Sequence, residues 1–318
     1  MYVDFMTDYL SSRHMEPCES SVEFPNYYLP HHGVLKRNLT SSKLRVVFDA
    51  SARTSSNVSL NDVLLSVPKL QNNIYDLILR SRLHSIVFTC DIRQMYRQIK
   101  VHPDDQRYQL ILWRSEPSAP LLVYKLTTVT YGVTSSPFVA IRTLHQLAED
   151  EGVNFPRAAE VLKSQAFVDD IITGADSIDD ALLLKSELNH LLLRGGFELR
   201  KWCSNSSQLL SLVPEDHLDT PVTYNSSDEP LYNMLGLHWN SSEDYYSYLM
   251  NIPEGHPTKR FVLSTIASLY YPCGWLTPVI LWAKYFIQLL WTLGLHWDDS
   301  LPSHMSQTWS MFLRDLPE

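Results

Sequence analysis

Residues 166–174 read AFVDDIITG, an adjacent pair of aspartates, Asp169 and Asp170, framed on both sides by apolar residues. Short apolar runs bounded by polar residues predict strands, and two acids between two such runs predict a hairpin with both acids at its tip. A second short apolar run, IVFTC at 86–90, ends on Asp91 and predicts a buried strand closed by an acid. If these strands are neighbours in one sheet, three carboxylates converge at one edge. Carboxylates so close repel one another unless neutralised. Hard divalent cations bound through oxygen do this, Mg²⁺ being the usual occupant beside phosphates. Two such ions about 4 Å apart stabilise the attacking and leaving oxygens of an in-line phosphoryl displacement. An Asp-Asp pair in a turn is by itself as readily a solvated turn; the apolar frame and the separate strand-ending acid favour the site.

The chain has 318 residues, which at roughly 100–200 residues per domain suggests two or three lobes. With 45% hydrophobic and 19% charged residues, wholesale disorder is excluded. The net charge of −9 argues against nucleic-acid binding by the whole surface, because phosphate contacts need Lys and Arg. The charge is unevenly spread: from Phe24 to Phe48 there is no acid, while Lys36, Arg37, Lys43 and Arg45 fall in that window. Cys18, Cys90, Cys203 and Cys273 form no CxxC pair, so free thiols are expected rather than a zinc site or disulfide framework. The amino terminus lacks the basic n-region of a signal peptide. The most apolar stretch, Phe261–Leu295, is broken by Pro272, Gly274, Pro278 and Lys284, short of the roughly 20 uninterrupted apolar residues of a span. The expected location is intracellular, most simply cytoplasmic, and not secreted.

Apolar periodicity gives a coarse element map. A short helix opens the chain, LRVVF at 44–48 predicts a strand, and residues 59–83 predict helix interrupted at Pro68. Residues 108–113 and 121–126 predict two strands, and Ser136-Pro137 predicts the N-cap and first turn of a long helix. Ser177 with Asp180 resembles a capping box for a Leu-rich helix that stops at Gly195-Gly196. Strand patterns return at 197–202 and 234–239. The last 60 or so residues read as helices, with Lys284, Gln288 and Thr292 one polar row on an otherwise apolar one. Strands and helices intermixed without βαβ alternation predict an α+β fold.

At these residues the chain resembles the reverse transcriptases of retroelements, most closely those of BEL/Pao-type long-terminal-repeat retrotransposons. The box Phe167-Val-Asp-Asp170 is similar to the family's aromatic-x-Asp-Asp box. Asp91-Ile-Arg-Gln-Met-Tyr96 resembles its first catalytic motif, and Tyr131-Gly132 through Ser136-Pro137 resembles the segment before the long palm helix. Tyr28 to Val34 and Lys43 to Ser51 resemble the fingers signature, and Asn233 to Trp239 the primer-grip hairpin. The resemblance runs over about residues 20–290, with the motifs in the family's order.

The resemblance implies a right-hand polymerase: an N-terminal segment and fingers over 1–85, a first palm strand over 86–103, and a fingers/palm junction over 104–135. The rest of the palm with its primer-grip-like hairpin would occupy 136–245, and a helical thumb or connection-like segment 246–318. It implies an RNA-directed DNA polymerase, a nucleotidyltransferase that extends a DNA or tRNA primer on an RNA template with dNTPs, using two Mg²⁺ or in their place Mn²⁺. Asp91, Asp169 and Asp170 would be the catalytic, metal-binding acids. Arg45 and Lys43 would hold the triphosphate, with Tyr131 and Gly132 also at the nucleotide, and Tyr96 would exclude a 2′-hydroxyl. Lys201 resembles the lysine that protonates pyrophosphate, and Met234, Gly236, Lys284 and Gln288 would contact primer or template. Tyr131 stands where retroviral enzymes commonly have Gln, and Phe167 where they have Tyr. Neither a protease box, an integrase zinc pattern nor an acid cluster of ribonuclease H type is found, so those Pol domains are expected outside this chain. The alternative is a catalytically decayed or domesticated nucleic-acid-binding remnant of the same element.

Overall fold

The computed structural model describes residues 1–18, 25–37, 42–65, 67–222, 230–248 and 255–316, with the side chains of Lys36, Arg37, Ser42 and Lys43 outside the description. The chain mixes helix and sheet and divides into two compact units. Residues 1–72 and 90–200 form the first, and residues 73–89 and 201–318 form the second. The chain therefore passes between units three times, a discontinuity that contiguous sequence segments do not anticipate.

In the first unit, the Met15–Pro17, Leu122–Leu126 and Leu110–Trp113 strands form a three-stranded antiparallel sheet in that order. The strands His31–Arg37 and Ser42–Phe48 pair antiparallel, with Val34 opposite Arg45. The helix Tyr2–Ser11 buries Met6 and Tyr9 in a core with Leu29, Val46, Phe48 and Leu126. Each such fully buried side chain contributes about 1.5–3 kcal/mol. Three helices, Ser136–Glu151, Pro156–Ser164 and Ile178–Arg194, pack on one another, and the last two also cover the strand Asp170–Ala175. Their buried faces follow the three-four spacing of an amphipathic helix, as with Ala181, Leu184, Leu188, Leu191 and Leu192. A four-stranded sheet has the order Ala166–Phe167, Asp170–Ala175, Ile86–Ile92, Leu199–Ser204, residues 86–89 and 201–204 of the last two strands counting with the second unit.

The second unit holds an antiparallel meander of Leu231–Met234, Leu237–Asn240 and Tyr245–Ser247. Its first turn, Leu235-Gly236, has positive φ at both residues, 49° and 86°, the conformation a tight two-residue hairpin demands. Arg82 pairs with Asp244, which also accepts from the indole of Trp239 at 3.0 Å. The helices Lys259–Ser268, Thr277–Thr292 and Ser303–Asp315 share a core of Val262, Ala283, Phe286, Leu290, Met305 and Trp309.

Several expectations change in detail. The helix expected over 59–83 is two short ones, Leu60–Val63 and Ile74–Ser81. A reciprocal capping box between Ser59 and Asp62 starts the first, and Asn73 caps the second through the Tyr75 amide. The described residues between them, Pro68 among them, are not helical. Ser136 is the first helical residue and not the cap; its buried hydroxyl donates to the Thr130 carbonyl at 2.5 Å. The strand expected over 234–239 is a hairpin. No helix among the described residues is long and apolar enough to cross a membrane, and all four cysteines are free thiols.

Candidate active site

Strand Ile86–Ile92 carries Asp91 as its next-to-last residue, not beyond its end. The hairpin is tighter than the sequence suggests. Phe167 pairs directly with Asp170, so Val168 and Asp169 alone make the turn and Asp170 is the first residue of its strand. Val168 has φ 55°, a left-handed conformation that a β-branched residue adopts only at a cost. Across the sheet, the Ile92 amide donates to the Asp169 carbonyl at 2.7 Å, which sets the turn beside the strand end that bears Asp91.

Electrostatics place the same groups together. The thiol of Cys90 is pushed well up, first by burial and then by the charges of Asp91 and Asp170. The hydroxyl of Tyr96, in the short helix Met95–Gln98, is raised by burial and then by Asp169. Asp91, Asp169 and Asp170 are all half-buried. Among the described residues, however, no three His, Cys, Asp or Glu side chains are gathered so that they could hold a metal ion. The oxygen donors suit a hard cation, and Mg²⁺ typically takes one or two carboxylates and completes its shell with water and substrate phosphates. The acids supply oxygen donors of the kind such an ion takes, without a closed cage of three among the described residues.

Arg45 is exposed on strand Ser42–Phe48, and Lys43 lies in the same strand with its side chain outside the described residues. Tyr131 packs beside the core at 5.6 Å from the Phe48 ring, and its hydroxyl donates to the Val46 carbonyl at 2.5 Å. Burial raises that hydroxyl strongly, and Arg45 is near enough to oppose the shift. Tyr131 thus braces the strand that carries Arg45. Gly132 has φ 94°, and a Cβ there would stand 2.4 Å from the Phe48 carbonyl oxygen. Lys201 is an exposed residue of strand Leu199–Ser204 with φ 51°. Met234 is only 3% exposed and its sulfur accepts from the Tyr246 hydroxyl, so its side chain belongs to the core and not to a primer surface. Gly236, Lys284 and Gln288 are exposed.

Sequence reasoning missed the braces. Asn61 donates to the Gly132 carbonyl at 3.0 Å and accepts from the Thr134 amide at 2.9 Å, holding the turn at 131–134. Gln71 and Asn72 tether the acid hairpin. Arg97 lies 4.2 Å over the Tyr9 ring and pairs with Asp8 at 3.3 Å, fastening the first helix beside Tyr96. The Gln-Asn-Asn run at 71–73 was the available signal, since Asn favours caps and turns over helix interiors.

Residues 258–318 match the family model of the Pao retrotransposon-like RNaseH-like domain. This match supports an origin in the Pol polyprotein of a Pao/BEL retrotransposon. No curated protein matches the sequence. The described part of the matched stretch holds three helices, and two of its acids make local contacts. Asp298 pairs with Arg260 at 2.7 Å and Asp299 accepts from the His296 amide at 2.8 Å.

Proposed function

We propose that this Pol fragment includes, ahead of the stretch matched to the RNaseH-like domain, the RNA-directed DNA polymerase portion, a nucleotidyltransferase of right-hand architecture that extends a primer with deoxynucleotides. The observation that carries the reading is the hydrogen bond from Ile92 to Asp169, which brings the Asp-Asp turn alongside the Asp91 strand end. The carboxylates of Asp91 and Asp169, with Asp170 behind them, would hold Mg²⁺, which supplies charge neutralisation at the attacking and leaving oxygens of an in-line displacement. Exposed Arg45, with Lys43 beside it, offers the triphosphate a fork of donors matched to phosphate geometry. Tyr96, held under the field of Asp169, forms the floor where a 2′-hydroxyl would collide. Lys201 would return a proton to the leaving pyrophosphate, and Gly236, Lys284 and Gln288 would meet primer or template backbone.

A second reading, a nucleic-acid-binding remnant that has lost catalysis, is favoured by the lack of a three-ligand group among the described residues. Primer extension on a homopolymer RNA template separates the two. Incorporation with Mg²⁺ or Mn²⁺ that Asp91→Asn abolishes supports the polymerase. Duplex binding by a folded sample that incorporates nothing with either ion supports the remnant.

A further inference from the structure

The acid turn is held in a conformation its own sequence does not favour. Val168 sits at φ 55° with a β-branched side chain, and its amide lies outside the hairpin ladder, which closes with Phe167 opposite Asp170. Strain of this kind persists only where the surroundings over-determine it. Here the surroundings are specific. The Gln71 side-chain oxygen accepts from the Val168 amide at 3.1 Å. The next residue, Asn72, donates from its carboxamide to the Ala166 carbonyl at 3.1 Å and to the Lys163 carbonyl at 3.2 Å. On the other side the Ile92 amide holds the Asp169 carbonyl. Every one of these residues lies in the first unit. The remaining polar atom of Gln71, Nε2, is buried and has no acceptor among the described residues.

We propose that Gln71 is a positioning residue of the acid turn. By fixing the Val168 amide it holds the left-handed backbone that aims the Asp169 carboxylate, while Asn72 locks the strand leading into the turn. The inference rests on the polymerase reading for its consequence, because only there does the direction of Asp169 set a rate. In that setting Gln71 acts on the chemical step and not on nucleotide affinity, since its hydrogen bond is to the turn that carries Asp169.

The test compares Gln71→Leu in two backgrounds, wild type and Val168→Gly, because glycine takes positive φ without strain. In wild type, Gln71→Leu is expected to lower kcat for primer extension by about ten- to a hundredfold, with KM for the nucleotide within about twofold. In the Val168→Gly background the same change is expected to cost less than about threefold. A normal kcat, a defect confined to KM, or an equal loss in both backgrounds would overturn the proposal. The urea unfolding midpoint of all four proteins gives a readout independent of activity. If wild type extends no primer, the polymerase reading has failed, and the midpoints still decide the brace. Non-additive shifts support a Gln71–Val168 coupling, and additive ones reject it.

Discussion

The Ile92 amide donates to the Asp169 carbonyl at 2.7 Å, so the strand end bearing Asp91 and the turn bearing Asp169 are fastened through the backbone. Side-chain chemistry can therefore be changed without undoing the fastening. Asp169→Asn is expected to leave the unfolding midpoint unchanged or slightly raised, because a repelling charge is lost from a crowded site. Primer extension should fall by about a thousandfold, the several kcal/mol that metal-assisted charge neutralisation supplies. Turnover within a few fold of wild type would end the assignment of Asp169 to metal binding.

Gly132 is the position where backbone geometry leaves least freedom. At φ 94° an added Cβ is strained, and it would also sit 2.4 Å from the Phe48 carbonyl oxygen, an atom of the strand that carries Arg45. Gly132→Ala is expected to destabilise the chain by about 2–4 kcal/mol, read as a drop in unfolding free energy by urea titration. A loss below about 0.5 kcal/mol would mean that the turn at 131–134 shifts at no cost.

The sheet strands, the Leu-rich helix and the helical carboxy-terminal region were legible because each has an apolar period long enough to fix its type. Boundaries were less so. Ser136 carries an N-cap residue type, yet its hydroxyl is taken by the Thr130 carbonyl, a partner no local pattern discloses. Asp91 and the Asp169-Asp170 pair stand out in the sequence as charges inside apolar frames. Gln71, Asn61 and Arg97 do not, because what makes them braces is a bond across distant sequence, such as Asn61 to Gly132. Met234 reads as a site residue and its side chain is buried in the core, since a thioether in a motif looks the same whether it faces substrate or neighbours.

Beside the Asp91 strand, Glu198 receives the Arg93 guanidinium at 2.8 Å and lies 2.7 Å from that of Arg200. The Arg93 hydrogen bond is the leading cause that holds its carboxyl below the ordinary glutamate value. With the folded-state value depressed, the unfolded chain binds the proton more readily. The contribution is complete above the ordinary glutamate pKa of about 4.3 and is lost as pH falls below it. The carboxylate is 38% exposed, so solvent and salt keep the effect small. The gap in urea midpoint between wild type and Glu198→Gln should be widest near neutral pH and narrow as pH falls below the ordinary glutamate value. A gap independent of pH would remove the ion pair from the account.

Tyr96 lies five residues beyond Asp91, half-buried and under the field of Asp169. A ring in that place can exclude a 2′-hydroxyl by contact alone. Tyr96→Val should lower the ratio of kcat/KM for deoxy- over ribonucleotides by at least about tenfold while incorporation persists. An unchanged ratio would return Tyr96 to a packing role.

The helix Thr277–Thr292 lies inside the stretch matched to the Pao retrotransposon-like RNaseH-like domain. It buries Ile280, Ala283, Phe286, Ile287 and Leu290 against its neighbours. Lys284, Gln288 and Thr292 lie in one exposed row, flanked by exposed Leu281, Tyr285 and Trp291. A single cation amid apolar surface can meet a phosphate, or it can keep an otherwise apolar docking face in solution. Salt distinguishes these, because a phosphate contact releases condensed counterions and a protein contact does not. If Lys284 meets a phosphate, Lys284→Ala reduces the slope of log K against log salt by about 0.9 on B-form DNA, with a comparable change on hybrid duplex. Affinity then falls by a similar factor on every sequence, since backbone contacts carry no sequence information. Unchanged slope and affinity would make the exposed row a protein-facing surface and leave the duplex to be held elsewhere.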